Sequence, residues 1–214
     1  ILESHGFRLP QPDGSSILRR AHAVHVPVPA VDRAVAGWLA NGGALAVVGA
    51  AGTGRSHVLH QAEVELRARG IHWIRLEMSS IPWQAARRAL TTAELSGPEA
   101  DLPDEPDLNM RARQVAEMLA SRAGGPLWVV ADDLERHPED VALLAAAIAA
   151  QDGLHLLVAG TTVPPWMEQA CMLAPMGTAD LGSLVTRILG GDASASTLVQ
   201  HLHPTLGGFP GRWV

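Results

Sequence analysis

The chain has 214 residues, of which 47% are hydrophobic, and it carries a formal net charge of −6 at pH 7. This composition predicts a folded domain with a sizeable core and excludes a globally disordered chain. The acidic balance argues against a nucleic-acid module with a dominant basic face, so we expect no direct nucleic-acid binding from this segment. The single cysteine, Cys171, excludes an internal disulfide and a cysteine-based zinc cluster, which fits the reducing cytoplasm. The apolar runs are shorter than the roughly 20 residues that span a bilayer, so we expect no membrane partner.

The first part of the chain alternates irregular, helical and extended segments. Residues 1–29 are rich in Gly, Pro and Ser and predict an irregular lead-in. Residues 30–43 then show apolar side chains at helical spacing and end in two glycines. The run ALAVV predicts a strand, and it leads through a glycine-rich turn into a helix from about Arg55 to Arg69. A second strand is predicted in IHWIRLE, residues 71–77.

The alternation continues and predicts the fold class. The further predicted elements are a helix (83–95), an acidic Pro-rich loop (94–109), a helix (109–125), a strand (126–133), a helix (138–153), a strand (154–162) and a short strand (171–175). Strands that alternate with helices predict parallel crossovers, hence a three-layer α/β sandwich with about five strands over residues 30–175. Two further helices predict the beginning of a helical lid over residues 176–214.

A glycine-rich stretch, GAAGTGRS, joins the first predicted strand to its helix. Gly49, Gly54, Arg55 and Ser56 fit the pattern G-x-x-x-x-G-[K/R]-[ST] of a phosphate-binding loop, with Gly52 as an additional glycine. Glycines let the backbone curl so that its N–H groups point at phosphate oxygens, and the helix N-terminus adds a favourable dipole. Ser56 would place its hydroxyl on Mg²⁺. The alternative is a strand-to-helix turn that binds no ligand.

Arg55 departs from the usual pattern, which has lysine at this position. Lysine is a compact point charge that reaches between the β- and γ-phosphates, whereas arginine carries the same charge on a larger planar fork. Arginine can bind phosphate through two nitrogens without placing its charge on the transition state. We therefore expect nucleotide binding to survive while hydrolysis is slow or absent.

Two aspartates, Asp132 and Asp133, follow the buried run LWVVA. After a phosphate loop, the first carboxylate would hold the Mg²⁺ shell and the second would orient or activate the attacking water. Glu135 is the alternative base, although it lies beyond the usual position. The competing interpretation is that two aspartates merely end a strand at a surface turn.

The motifs in this order resemble the STAND-type ATPases, the signal-transduction branch of the P-loop NTPases near the AAA+ proteins. The resemblance covers roughly residues 25–214 and rests on GAAGTGRS, LWVVADDLERHPED, LHLLVAGTT and the tail LAPMGTADLGSLVTRILGG…GGFPGRWV. In the tail, Pro175-Met176 corresponds to a Pro-Leu-like step into the lid, and residues 208–210 correspond to a Gly-x-Pro that packs near adenine.

The resemblance implies a regulatory switch that binds ATP or ADP with Mg²⁺ between the α/β core and the lid. It also implies the strand order 5-1-4-3-2, a role for Pro210 beside the base, and protein partners bound through downstream segments or by self-association. The chain ends just after the Gly-x-Pro, so the lid looks truncated. The fourth strand ends in GTT, where many relatives have a polar sensor; Thr161 or Thr162 would supply only a neutral hydrogen bond.

These inferences define one candidate site and two rival functions. The predicted nucleotide contacts are Gly49, Gly52, Thr53, Gly54, Arg55, Ser56, His57 and Pro210, the predicted Mg²⁺ ligands are Ser56 and Asp132, and the predicted catalytic residue is Asp133. We expect at most a weak ATPase. One rival is a degenerate scaffold that binds no nucleotide and acts through protein contacts alone. The other is an active AAA+ ring motor, which the missing sensor arginine disfavours.

Overall fold

The structure is a computed structural model that describes residues 26–76, 83, 86, 105–132, 134–136, 138–188 and 195–208. The main compact unit runs from Val28 to Ala174, and a second unit contains the described residues from Pro175 onward. The elements of the main unit are α1 (Pro29–Asn41), β1 (Ala44–Gly49), α2 (Arg55–Ala68), β2 (Trp73–Leu76), α3 (Leu108–Ala123), β3 (Leu127–Ala131), a 3₁₀ turn (Leu134–Arg136), α4 (Pro138–Ala150), β4 (Leu154–Gly160) and β5 (Ala170–Leu173). The second unit contains α5 (Thr178–Ile188) and α6 (Ala195–Leu206).

All five strands are parallel and lie in the order β2-β3-β4-β1-β5. This is the order 5-1-4-3-2 in the opposite direction, so the predicted fold class and strand order are confirmed. Because β4 lies between β1 and β3, the segments that follow β1 and β3 flank the carboxyl end of β4. In open parallel sheets ligands bind beyond the carboxyl ends of the strands, where the strand order reverses.

Two layers of helices cover the sheet because alternate residues of each strand point to opposite faces. In β1, Ala46 and Val48 belong to the core on the side of α3 and α4. Leu45 and Val47 belong to the other core, which is built with α1 and α2. Strand β1 is therefore apolar on both faces, as its uninterrupted hydrophobic run predicts.

Helix boundaries follow local signals in the sequence. Helix α1 has a proline at its first position and stops at Gly42, which has a φ of 72°. The N-cap of α3 is Asp107, whose side chain accepts hydrogen bonds from the backbone N–H groups of Asn109 and Met110. Of the predicted helix over residues 83–95, only Trp83 and Ala86 are described, and both are buried. The predicted acidic loop lies outside the described residues up to residue 104.

The described residues of the second unit from Pro175 onward include two packed helices, at the places where the sequence predicts helices. Helix α5 buries Leu181, Leu184, Val185 and Ile188. The backbone N–H of Met176 donates a 2.6 Å hydrogen bond to the carbonyl of Gly208, so the two predicted tail motifs are in contact. A Cβ added to Gly208 would overlap the carbonyl oxygen of Met176, which explains why a glycine stands there. None of the described helices is long and apolar enough to cross a membrane.

Candidate phosphate-binding site

The loop between β1 and α2 has the backbone geometry that its glycines predict. Gly52 and Gly54 have φ values of 85° and 98°, in the left-handed region that glycine adopts without strain. The hydroxyl of Thr53 donates a 2.8 Å hydrogen bond to the carbonyl of Ala50, and Thr53 is only 2% exposed. The turn is thus closed from inside by Thr53, while helix α2 begins directly at Arg55 with no side-chain cap.

Arg55 lies inside this site, where its charge is matched by a carboxylate. The residue is 9% exposed, and its Nη2 lies 2.7 Å from Oε1 of Glu135, which belongs to the 3₁₀ turn after β3. Its Nη1 is buried and has no hydrogen-bond partner among the residues that the structure describes. An unsatisfied buried N–H of a charged group is costly, so this nitrogen marks a place where an anion would be stabilised.

Asp132 follows β3 directly, and its carboxylate lies near an arginine of the neighbouring strand β2. Its Oδ2 lies 3.7 Å from Nη2 of Arg75, and Nη1 of the same arginine lies 2.6 Å from Oε1 of Glu63. Glu63 comes from α2 and is 8% exposed, which is unusual for a carboxylate unless it is paired. Arg75 therefore links helix α2 to the carboxylate that sequence reasoning assigns to Mg²⁺.

The predicted site residues that the structure describes end or follow β1 and β3, whose carboxyl ends lie at the same edge of the sheet. Gly49 is the buried last residue of β1, whereas Ser56 is exposed and His57 half-buried in the first turn of α2. Asp133, the predicted catalytic residue, and Pro210, the predicted base contact, lie outside the described residues. The assignment of roles to these positions stays a prediction.

Sequence reasoning missed two features of the site. It did not include Arg75, although a charged residue near the carboxyl end of a strand is expected to reach this edge of the sheet. It assigned Glu135 as an alternative base, whereas the structure engages its carboxylate with Arg55. The signal for that contact lies in the topology, because β1 and β3 flank β4 and bring the two segments within reach.

Cys171 lies on β5 beside Val47 of β1 and is buried. Desolvation raises the pKa of its thiol, and a hydrogen bond from its own backbone only partly opposes that rise. A thiol that resists ionisation is a poor nucleophile, so we assign it to the core.

Together the parallel sheet, its strand order and the loop after β1 define the fold of a P-loop ATPase. Among solved structures, the chain is similar to the Walker-type ATPase PABY2304 of Pyrococcus abyssi, with a TM-score of 0.56 and 14% sequence identity. That match covers 87% of this chain and 65% of the other. The resemblance to P-loop ATPases inferred from the sequence is thereby confirmed for the fold.

A second similar structure is PH0952 from Pyrococcus horikoshii, a signal transduction ATPase with numerous domains (STAND) that has a tetratricopeptide repeat sensor. The TM-score is 0.54 at 13% identity, and the match covers 87% of this chain and 29% of that one. The chain thus spans less than two thirds of either structure, and at these identities the similarity shows the fold alone. No protein-family model and no curated protein matches the sequence.

Proposed function

We propose that this chain binds ATP or ADP together with Mg²⁺ at the loop between β1 and α2, and that it acts as a nucleotide-dependent regulatory switch with slow or absent hydrolysis. The observation that carries the proposal is the buried Nη1 of Arg55, which has no partner among the described residues. A phosphate oxygen is the acceptor that a guanidinium favours at such a position, because the bond is charge-assisted.

The residues near the loop also suit a magnesium ion. Mg²⁺ prefers oxygen ligands, and it usually keeps several waters while binding one or two carboxylates and the phosphates of the substrate. Ser56 would contribute its exposed hydroxyl, and Asp132 would contribute its carboxylate, directly or through water. Bound there, the ion would neutralise phosphate charge. Arg75 already holds a positive charge 3.7 Å from Asp132.

We propose slow hydrolysis because an arginine, Arg55, stands where a phosphate loop usually has a lysine. The guanidinium of Arg55 carries its charge on a planar fork, which need not place that charge on a reacting phosphoryl group as the compact charge of a lysine does. Misplacing one electrostatic group of this kind typically costs on the order of 10²–10³ in rate. Asp133 would orient water if hydrolysis occurs. Binding without rapid turnover is the property that a switch requires.

The composition weakens the rival interpretation that Arg55 marks a decayed site. The chain contains no lysine at all, so every one of its 16 basic residues of the Lys and Arg class is an arginine. Arginine at the loop is therefore what this composition yields at any position that needs a cation.

The regulatory role rests on the similarity to a STAND protein and on the helices that follow the core. We propose that the second unit is the beginning of a helical lid and that Pro210 packs beside the base. We further propose that protein partners bind through other parts of the full protein or by self-association, in the cytoplasm. The degenerate scaffold remains the alternative, and nucleotide binding discriminates between the two.

The test is calorimetric titration of the purified chain with ADP and ATP in the presence of Mg²⁺, with Arg55→Ala beside it. Arg69→Ala is the matched control, because this exposed arginine at the end of α2 pairs only with the exposed Glu65 in the described structure. We expect Arg55→Ala to weaken binding by about 10- to 100-fold, as expected for a charge-assisted hydrogen bond of about 1.5–3 kcal/mol. Arg69→Ala should bind like the wild type.

Thermal unfolding gives an independent readout of the same binding. Nucleotide at 100 times its dissociation constant should stabilise the folded chain by about 2.7 kcal/mol. The absence of both heat and stabilisation at millimolar nucleotide with Mg²⁺ would rule out the proposed function and favour the scaffold.

A further inference from the structure

We propose that Glu135 senses the terminal phosphate: its ion pair with Arg55 is compatible with a bound diphosphate and is broken by a triphosphate. This inference rests on the proposed function and adds the means by which the site would distinguish ADP from ATP. It arises from the one acidic side chain in the described structure that contacts the phosphate-loop arginine.

The ion pair between Arg55 and Glu135 lies at the carboxyl end of the sheet, where the end of a polyphosphate chain would meet Arg55. Glu135 comes from the turn after β3 and Arg55 from the start of α2 after β1, with β4 between them in the sheet. A Cβ built on Gly160, the last residue of β4, would lie 3.7 Å from Oε2 of Glu135. The carboxylate therefore lies near the carboxyl end of β4, beside the arginine of the loop. The basic residue of a phosphate loop reaches the β- and γ-phosphates, and ligands bind beyond the carboxyl ends of the strands, so the γ-phosphate would meet Arg55 at this end of the sheet.

The two terminal nitrogens of the Arg55 guanidinium would allow the site to distinguish a diphosphate from a triphosphate. Nη2 is bonded to Glu135, whereas Nη1 is buried without a partner among the described residues. A β-phosphate can accept from Nη1 and leave the ion pair intact. A γ-phosphate adds further negative charge next to the carboxylate, and like charges at close range repel strongly where water is scarce. The triphosphate must therefore displace Glu135, and the diphosphate need not.

Glu135 is the partner that can move. Its side chain is 34% exposed, whereas that of Arg55 is 10% exposed and fixed at the start of a helix. Displacing the carboxylate would act on the 3₁₀ turn, which packs against both β4 and α4. Helix α4 begins two residues after that turn. The position of Glu135 thus connects the presence of a terminal phosphate to a helix on the face of the sheet.

The experiment measures dissociation constants of MgADP and of the Mg²⁺ complex of a non-hydrolysable ATP analogue with an imido β–γ bridge. The proteins are the wild type, Glu135→Gln, and Glu65→Gln as the matched control. Glu65 also pairs with an arginine and is exposed, and its loss changes the net charge equally. We expect Glu135→Gln to tighten the analogue by about tenfold and MgADP by less than about threefold, since partial exposure reduces the full Coulomb effect. Glu65→Gln should change neither.

A second arm asks whether Glu135 acts through Arg55. In an Arg55→Ala background, Glu135→Gln should lose most of its preferential effect on the triphosphate, whereas a purely structural role would leave the effect unchanged. An equal shift for both nucleotides, no shift, or weaker analogue binding in Glu135→Gln would overturn the inference and leave the proposed function intact. Failure of every variant to bind either nucleotide would overturn the proposed function and the inference together.

Discussion

Gly49→Ala tests whether the phosphate loop has the tight geometry that the structure shows. Gly49 is the buried last residue of β1, next to the edge strand β5. A Cβ at this position would lie 2.5 Å from Oγ1 of Thr53, 2.9 Å from the carbonyl oxygen of Leu173 and 3.0 Å from its Cβ. Two of these contacts are shorter than real Cβ atoms show, and one is to backbone, so either β5 or the loop has to shift.

The expected cost follows from two effects. Forcing an extra methyl group into a packed site typically costs about 1–3 kcal/mol. Displacing Thr53 would also weaken its 2.8 Å hydrogen bond to Ala50, which is worth about 1 kcal/mol. The sum is about 2–4 kcal/mol, and a domain of this size loses about 2–4 °C of Tm for each kcal/mol. Gly49→Ala should therefore lower Tm by about 4–16 °C.

The assay is thermal unfolding followed by circular dichroism, with Gly125→Ala as the control. Gly125 is exposed, has no atom within 4 Å of its added Cβ, and lies just before β3. Its substitution should change the free energy of unfolding by less than about 0.5 kcal/mol or raise it slightly. If the two variants melt within a degree of each other, the close approach of Gly49 to Thr53 and Leu173 is wrong.

Two further predictions concern charged and titratable groups of the described residues. Glu63→Gln should lower the free energy of unfolding in urea by about 1–2 kcal/mol, because it removes the charge from the buried partner of Arg75. The control Glu65→Gln should leave the free energy of unfolding nearly unchanged, because Glu65 is exposed. Equal effects of the two substitutions would contradict the burial of Glu63. Burial lowers the pKa of His155, whose Nδ1 accepts a hydrogen bond from the Gly43 N–H, so the folded state resists protonation. The neutral imidazole of His155 therefore contributes stability at neutral pH, and this contribution is lost as the pH falls below the pKa of about 6.5 that histidine has in the unfolded chain. The test is urea unfolding of the wild type and of His155→Gln at pH 7.5 and at pH 5. The free energy of unfolding should change less between the two pH values in the variant.

The sequence predicts the fold well because its signals are local and consistent. Strands β1 and β3 are short apolar runs, and helices carry their own stops, such as Gly42 after α1. The sequence predicts the conformation of the phosphate loop equally well, because only glycine adopts the φ values of Gly52 and Gly54 without strain. The strand order came from resemblance to a family, since periodicity alone says nothing about which strands are neighbours.

The contacts within the site could not be predicted in the same way, because they join residues far apart in the chain. Arg55 and Glu135 are 80 positions apart, and the pairing of Arg75 with Asp132 depends on β2 lying beside β3. The sequence shows which charged residues follow strands. Which of them meet depends on register and rotamer, and these are set by the packed sheet.

The ion pair of Arg55 has opposite consequences for the empty and the bound protein. A buried guanidinium without a counter-charge is strongly disfavoured, so Glu135 stabilises the folded loop when no phosphate is present. The same carboxylate opposes a triphosphate that would take its place. Glu135→Gln should therefore lower the Tm of the nucleotide-free chain, by an amount reduced because Glu135 is 34% exposed, and yet increase the stabilisation that the triphosphate analogue adds. A residue that served only to hold the loop together would lower both, so the two signs measured on one variant separate a sensor of the terminal phosphate from a structural contact.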